Sequence, residues 1–408
     1  MSKSVLVIGA VFPEPTSSAA GWRMLSLLNF FKNDGYNVHF ASASKKGMYS
    51  CDLQKANIKE HEIKLNDSSF DHLVAELNPQ IVMFDRFMIE EQYSWRVEKA
   101  CPDAIRILDT EDLHFLRDAR SKGYQEAAPD EHLIFSEIAK RELAAILRSD
   151  LTLVISPVEY DLLKTTFGIS SHILAYLPFH LDINAFRYRD MNYSSREHFC
   201  FIGNFLHAPN WKTVLELKKL WPTIKPKLPN AELHIYGAYT PEKAQQLDAP
   251  HQGFRIMGRA ENAIETLHNY RVLLAPIPFG AGQKGKFIDA LRAGTPSITS
   301  SIGAEGMMSD KLWPGFITDD ANEFNMLAVQ LYQDRALWEN KSMLFEKMWT
   351  QFADPGYFER LKQRIIDILK APEIHRRSNF IGQILWKNQF MASKYMSLWI
   401  EEKNKDKS

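Results

Sequence analysis

Glycines and lysines alternate in Gly280-Ala281-Gly282-Gln283-Lys284-Gly285-Lys286, where an apolar run (272–275) ends and a helical pattern (284–293) begins. Gly280 and Gly282 let backbone amides approach a ligand closely. A helix start presents unpaired N–H groups and the positive end of a dipole, and Lys284 and Lys286 add full charges. That combination suits a doubly negative diphosphate. Glu305 follows about twenty residues on, past another apolar run, where nucleotide-binding α/β units carry the acid that takes a ribose hydroxyl pair. The stretch predicts a nucleoside-diphosphate site.

A second reactive patch is Asp109-Thr110-Glu111-Asp112-Leu113-His114, just past the apolar run 105–108. Acids and a histidine at a strand end are costly to bury without purpose, which favours a site. Two other readings stand beside it. Asp109 or Thr110 could cap the helix that follows. Asp109, Glu111 and Asp112 could instead offer oxygen ligands to Mg or Mn. Asp85 and Arg86, after the run 81–84, are a further pair on the same edge, and Asp85 reads as a cleft residue. The first turn, 9–23, either caps a helix over 20–33 through Ser17 or Ser18 or forms a lip of the cleft, since ligands bind outside the carboxyl ends of such strands. Gly203, Asn204, His207 and Asn210 make another polar turn after a strand, and Gly258-Arg259 a fourth.

The elements that must position these groups alternate as strands and helices, the signature of parallel sheets with crossover helices. Strands are expected at 5–8, 38–41, 81–84, 105–108 and 151–155, then at 199–202, 233–236, 255–257, 272–275, 297–299 and 315–318. Two sets of similar spacing imply two Rossmann-like halves. We place an N-terminal domain at 1–190 and a C-terminal domain at 191–371, with the boundary in the turn-rich stretch 188–196. The tail 372–408 spaces Ile381, Ile384, Leu385, Tyr395, Leu398 and Trp399 as a helix does. It is expected to cross back onto the first domain; its excess of Lys and Arg, with Trp386 and Trp399, also suits an anionic membrane surface.

Composition narrows the class. At 408 residues the chain exceeds what one core supports. Basic and acidic residues balance at 49 against 50, which argues against a nucleic-acid partner. Cys51, Cys101 and Cys200 lie far apart with no CxxC spacing, so neither a disulfide frame nor a zinc site is indicated. No stretch has the roughly 18 apolar residues of a membrane span. The N-terminal run reads as a first buried strand and not a signal peptide, and a cytoplasmic setting is expected, with peripheral contact at the inner membrane as an addition.

The segment 276–306 resembles the donor-binding region of GT-B-fold retaining glycosyltransferases of family four, the group 1-like enzymes. Pro276 opens the match, Gly280 to Lys286 follow, Asp289-Ala290 stands at the family's Glu-Ala pair, Gly294-Thr295-Pro296 at Gly-x-Pro, and Gly303-Ala304-Glu305-Gly306 closes it. Of the family's two glutamates eight residues apart, the first is Ala281 here and the second is Asp289. Residues 177–186 are a loose version of the family's segment between domains. The resemblance implies two Rossmann-like domains facing across a cleft. It implies transfer of a sugar from a nucleoside-diphosphate sugar to a glycan or lipid-linked acceptor, with retention, in bacterial surface polysaccharide synthesis.

Site roles follow from the likeness. Gly21, Gly203, Asn204, Gly258, Gly280, Gly282, Lys284, Lys286 and Glu305 would hold the donor, and Arg259 would stack on the base. His114 and Asp289 would position the sugar while Lys286 neutralises the leaving phosphate. Arg23, Asp85 and Asp112 are candidates on the acceptor side. The resemblance implies no metal and no cofactor beyond the nucleotide-sugar substrate. An inverting GT-B transferase with Asp112 or His114 as base, a sugar-nucleotide epimerase and a non-catalytic nucleotide-sugar-binding protein remain as alternatives.

Overall fold

A computed structural model describes residues 3–126, 131–185 and 192–405. The first strands are short runs, the central ones buried on both faces, as strands between two helical layers must be. They are β1 (Ser4–Ile8), β2 (Asn37–Ser42), β3 (Lys59–Glu62), β4 (Ile81–Asp85), β5 (Ile105–Asp109), β6 (Leu151–Val154) and β7 (Leu174–Tyr176). They form one parallel sheet in the order β3-β2-β1-β4-β5-β6-β7. A second parallel sheet has the order β10-β9-β8-β11-β12-β13. Its strands are β8 (Glu197–Ile202), β9 (Leu233–Tyr236), β10 (Phe254–Gly258), β11 (Tyr270–Ala275), β12 (Ser297–Thr299) and β13 (Gly315–Ile317). The architecture is α/β of the GT-B type, two sheets each with its own buried core.

Both expected sets of strands are present, and two more were not anticipated. Lys-Glu-His-Glu in β3 carries no apolar alternation because it pairs on one side only, as the sheet's edge. β7 is three residues long, too short to show a period. The domain boundary placed at 190/191 lies outside the described residues.

In each sheet the strand order reverses once, between β1 and β4 and between β8 and β11. A crevice opens at the carboxyl ends of the strands at such a point. The turns after β1, β4 and β5 and those after β8 and β11 carry the reactive residues, so the topology brings the polar patches of both halves to one cleft.

The C-terminal helices run back to the first sheet. Leu361, Ile365 and Ile368 of helix Gly356–Lys370 join the core beneath β1 and β5. His375 then meets the Asp150 carbonyl oxygen through Nε2 at 2.7 Å, and the Arg376 guanidinium donates to the Asp150 carboxylate at 2.9 and 3.0 Å. In helix Phe380–Lys405, Trp386 is buried against Trp95, under the Arg106 guanidinium at 3.7 Å from its ring. The tail therefore packs on the N-terminal sheet. Its outer side leaves Ile381, Ile384, Tyr395 and Trp399 exposed. Among the described residues, no helix is long and apolar enough to cross a membrane.

Candidate functional site

The cleft holds a cavity of about 720 Å³ whose walls come from both sheets. One wall is the loop after β11 and the helix Gly285–Ala293, which starts behind Lys284 as its cap residue. Lys286 lies over the Phe201 ring at 4.7 Å and donates from Nζ to Asn210 Oδ1 at 2.6 Å. Asn210 in turn donates from Nδ2 to the Asn204 carbonyl at 2.8 Å. It fits because residue 203 is glycine: a Cβ there would meet Asn210 Cγ at 2.6 Å. Lys284 donates to the Gly282 carbonyl at 2.8 Å. Among the described residues neither lysine meets a carboxylate within ion-pair distance.

Two half-buried amines with no carboxylate among the described residues at ion-pair distance resist protonation. Burial, with Lys284 close by, lowers Lys286 to about 7, and burial lowers Lys284 to about 8 against the opposing pull of Glu305. Asp289 lies one turn beyond Lys286, and burial raises its carboxyl to about 6 despite Arg292 and Lys286. A diphosphate placed at this helix start would supply the negative charge that the lysines lack. Asp289 is then the acid of this wall that lies open to a hydroxyl.

Glu305 is elsewhere. Arg120, on helix His114–Glu126 of the other half, donates from Nη1 and Nη2 to its two carboxylate oxygens, each at 2.7 Å. Arg120 Nη1 also donates to the Gly280 carbonyl at 2.8 Å. The acid expected to take the ribose is thus bound across the cleft, and it does not line the cavity. Spacing within 276–306 held no sign of this, because the partner sits in the other domain.

Gly282 is a second cross-cleft contact. Its φ is +63°, and a Cβ on it would come within 2.8 Å of Asp112 Cβ. Its amide donates to Glu159 Oε1 at 2.8 Å, and the same oxygen accepts from Leu113 N at 3.0 Å. Burial and the neighbouring Asp112 push Glu159 up to about 8. Gly285 also abuts the opposite lip: a Cβ there would lie 2.2 Å from Ala19 Cβ. Gly280, by contrast, has only ordinary contact with Lys284 at 3.7 Å.

The facing wall is built on β4 and β5, which end in register with Asp85 opposite Asp109. Asp109 is fully buried and paired with Arg23, whose Nη2 donates to Oδ1 at 2.8 Å while Nη1 donates to the Leu177 carbonyl at 2.8 Å. Arg23, expected on the acceptor side, is therefore turned into the domain, and Asp109 caps no helix. The first amides of helix His114–Glu126 are instead taken by Glu142, with Oε1 accepting from His114 N at 3.1 Å and Oε2 from Phe115 N at 2.9 Å. Asp85 Oδ2 accepts from Ala10 N at 3.0 Å and so holds the first turn, outside the cavity lining.

His114 and Asp112 do face the cavity. His114 Nδ1 lies 3.2 Å from the Asp112 carbonyl, and the ring stands edge-on to Phe87. Burial works against the Asp112 charge, but Arg117, His114 and His207 hold its carboxyl below the usual range. Arg117 is hydrogen-bonded to both Asp112 oxygens, and Arg23 to both of Asp109, so two of the three carboxylates considered for a metal are engaged with arginine. His207 lines the opposite wall and is exposed at its surface. Arg86 and Glu111 have φ of 74° and 62°. Such backbone costs about 1–3 kcal/mol per residue in a non-glycine and clusters at functional sites.

The remaining expected residues divide. Ser18 caps helix Ala19–Asn33 by accepting from Gly21 N at 3.1 Å. Gly21 itself packs on the Glu14 backbone, 2.5 Å from a Cβ there, and does not line the cavity, whereas Ser17, Ser18 and Ala19 do. Asn204 lines it beside Gly203. Gly258 has φ +78° and open space around its Cβ position, so it serves the backbone's path. Arg259 lines the cavity, but its guanidinium lies over Tyr49 at 4.1 Å and donates to Thr16 Oγ1 at 2.9 Å. The face expected to stack on a base is occupied by a tyrosine of the other half. Arg117, Arg120, Glu142 and Glu159 were not foreseen. For the arginines a signal exists, since His114, Arg117 and Arg120 recur at three-residue spacing on one helix face.

Residues 196–334 match the family model described as Glycosyl transferases group 1. No curated protein matches the sequence. Several solved structures share the fold. WaaG, a glycosyltransferase involved in lipopolysaccharide biosynthesis, superposes with a TM-score of 0.63 at 11% identity over 88% of this chain and 99% of its own. Sucrose-phosphate synthase from Thermosynechococcus elongatus gives 0.68 at 13% identity, covering 90% and 100%. Anabaena HepE in complex with UDP-glucose gives 0.64 at 11%, covering 90% and 99%. At these identities the structures speak for the fold. Together with the domain match they support a place in the glycosyltransferase superfamily.

Proposed function

We propose that this protein moves a sugar from a nucleoside-diphosphate sugar to a glycan or lipid-linked acceptor. The observation that carries the reading is the pair Lys284 and Lys286, half-buried at a helix start, with no carboxylate among the described residues at ion-pair distance, and facing a cavity shared by two domains. In this reading the diphosphate lies at the start of helix Gly285–Ala293. Asp289 takes a hydroxyl of the donor, in place of Glu305. As the sugar–phosphate bond breaks, negative charge grows on the leaving phosphate, and donors already in position stabilise it without reorganisation. His114 approaches the sugar from the facing wall.

We assign retention to the transfer. Asp112, one candidate base for inversion, is tied to Arg117 and held below the usual carboxylate range, which makes it a weak proton acceptor. In the retaining scheme the acceptor attacks from the face the diphosphate leaves, and a phosphate oxygen takes the acceptor proton. HepE is described in complex with UDP and with UDP-glucose, which makes uridine donors the first to try. The exposed side of the C-terminal helix is the surface we propose for contact with a membrane-held acceptor.

The test is thermal stability and nucleotide release across UDP-, GDP- and dTDP-sugars, with EDTA present and Lys286→Met alongside. Selective stabilisation by one donor, with slow nucleotide release that the variant abolishes, is expected. No response to any donor would leave the non-catalytic alternative in its place. Anomeric analysis of the product decides retention.

A further inference from the structure

The acceptor wall holds a group that neither the donor site nor the ion pairs account for. Glu111 follows β5 and lines the cavity, and its Oε1 is wholly buried with no hydrogen-bond partner. Of its neighbours, Asp109 is held by Arg23 and Asp112 by Arg117, while Asp85 is held by the Ala10 amide through Oδ2 alone. Buried polar atoms in native proteins are nearly always satisfied, so an orphan on a cavity-lining residue marks a place where a small turn of the side chain lets a ligand complete the bonding. The backbone points the same way. Glu111 and Arg86 hold positive φ at the ends of adjacent strands, and both side chains border the same cavity.

Resting on the glycosyltransferase reading, we infer that Glu111, with Arg86 beside it, reads the acceptor by binding a hydroxyl of an uncharged, polyhydroxylated unit. Glu111 is close to the reacting centre, because the adjacent Asp112 backs directly onto Gly282 of the donor loop. Its electrostatic surroundings fit a neutral partner. Burial and the carboxylates of Asp109 and Asp85 raise Glu111 to about 8, while Arg86 and Arg23 oppose them. A carboxyl that keeps its proton near neutrality can donate from one oxygen and accept at the other, which is what a hydroxyl asks for. An anionic acceptor would instead meet Asp112 in the lining and the field of Asp85 and Asp109 behind it, with the nearby arginines already matched to acids.

The experiment uses the full chain, the donor that stabilises it, and a panel of octyl glycosides. The uncharged members carry glucose, galactose, mannose or N-acetylglucosamine, and the anionic ones carry glucuronic acid or glucose 6-phosphate. Nucleotide release is measured with and without each glycoside for the wild type, Glu111→Gln and Glu111→Gly. Glutamine keeps the shape and both hydrogen-bonding functions, and glycine suits the positive φ, so both variants fold. The expected result is stimulation by an uncharged glycoside, kept within about fivefold by Glu111→Gln. Glu111→Gly is expected to lose about 10- to 100-fold in acceptor kcat/KM, with donor hydrolysis nearly unchanged. The fall in acceptor kcat/KM above about pH 8 should flatten in Glu111→Gln.

Transfer by Glu111→Gly at the wild-type rate would overturn the inference. So would a parallel loss of donor hydrolysis, which would put Glu111 on the donor side. Stimulation by anionic glycosides alone, or by no glycoside, would overturn it as well. A chain that binds no donor at all is a separate result, since it removes the transferase reading first.

Discussion

Replacing Lys286 by methionine separates a functional lysine from a structural one, because the two readings predict opposite changes in stability. The unfolded chain carries this amine near its ordinary value of 10.5, and the folded chain near 7. Between those limits the unfolded state binds more protons, so stability rises with pH from about 7 to 10.5 and the penalty is fully present below 7. At about 1.36 kcal/mol per unit, the penalty at pH 7 is ~4 kcal/mol at most. Methionine removes it but leaves Asn210 Oδ1 without a donor, which costs about 1–3 kcal/mol. The balance favours the variant by about 1–3 kcal/mol, a rise in Tm of several degrees for the empty protein at neutral pH, shrinking toward pH 10.

The bound state reverses the sign. A charge-assisted hydrogen bond to phosphate is worth about 1.5–3 kcal/mol, so the nucleoside diphosphate should bind about 10- to 150-fold more weakly to Lys286→Met. In the wild type, affinity should fall about tenfold per pH unit above 7, where binding must first protonate the amine. Titration calorimetry in two buffers of different ionisation enthalpy reads that proton uptake directly. A variant that is less stable when empty yet binds the diphosphate unchanged would refute the reasoning.

Two further perturbations test the cross-cleft contacts. Gly282→Ala puts a methyl 2.8 Å from Asp112 Cβ at a φ of +63°, so the domains cannot close as they do here. Transfer should drop at least about 100-fold, since a misplacement of about 1 Å can cost that much, and the diphosphate should bind more weakly; normal turnover would show that closure is not required. Arg120→Ala removes the fork onto Glu305 and the bond to the Gly280 carbonyl. It should raise the radius of gyration of the empty protein in small-angle scattering and lower kcat more than it raises the donor KM. Adding Glu305→Gln to it should do no further harm, because the two residues act as one contact.

How much of this was legible in the sequence depends on the range of each interaction. The strand runs were, since burial on both faces leaves continuous apolar stretches such as Val5-Leu6-Val7-Ile8, and so was the turn from β11 into a helix that starts beside Lys284 and Lys286. The tail's return was legible as helical spacing, although its partners Trp95, Arg106 and Asp150 were not. What was not legible was pairing over long range in the chain. Glu305, Arg23 and Arg259 were each assigned to a ligand on local grounds, and each is occupied by a residue distant in the chain: Arg120, Asp109, and Tyr49 with Thr16. A charged side chain near a strand end has two ways to offset burial, a ligand or a partner. Local spacing does not distinguish them.

That ambiguity has a physical consequence for the proposed donor site. Within a few residues of Lys284 and Lys286, the loop after β11 is fixed from the other domain at three points: Arg120 on the Gly280 carbonyl, Glu159 on the Gly282 amide, and Ala19 against Gly285. None of the three is supplied by the loop's own sheet. The loop's shape is therefore a property of the closed cleft, and opening the domains would release the amides and glycines that cradle a diphosphate. Diphosphate binding and closure should stabilise each other by the same free energy, as linkage requires. A catalyst that must keep water from an activated sugar gains from such coupling, because the proposed donor site is complete only when the facing wall, with His114, is already in place.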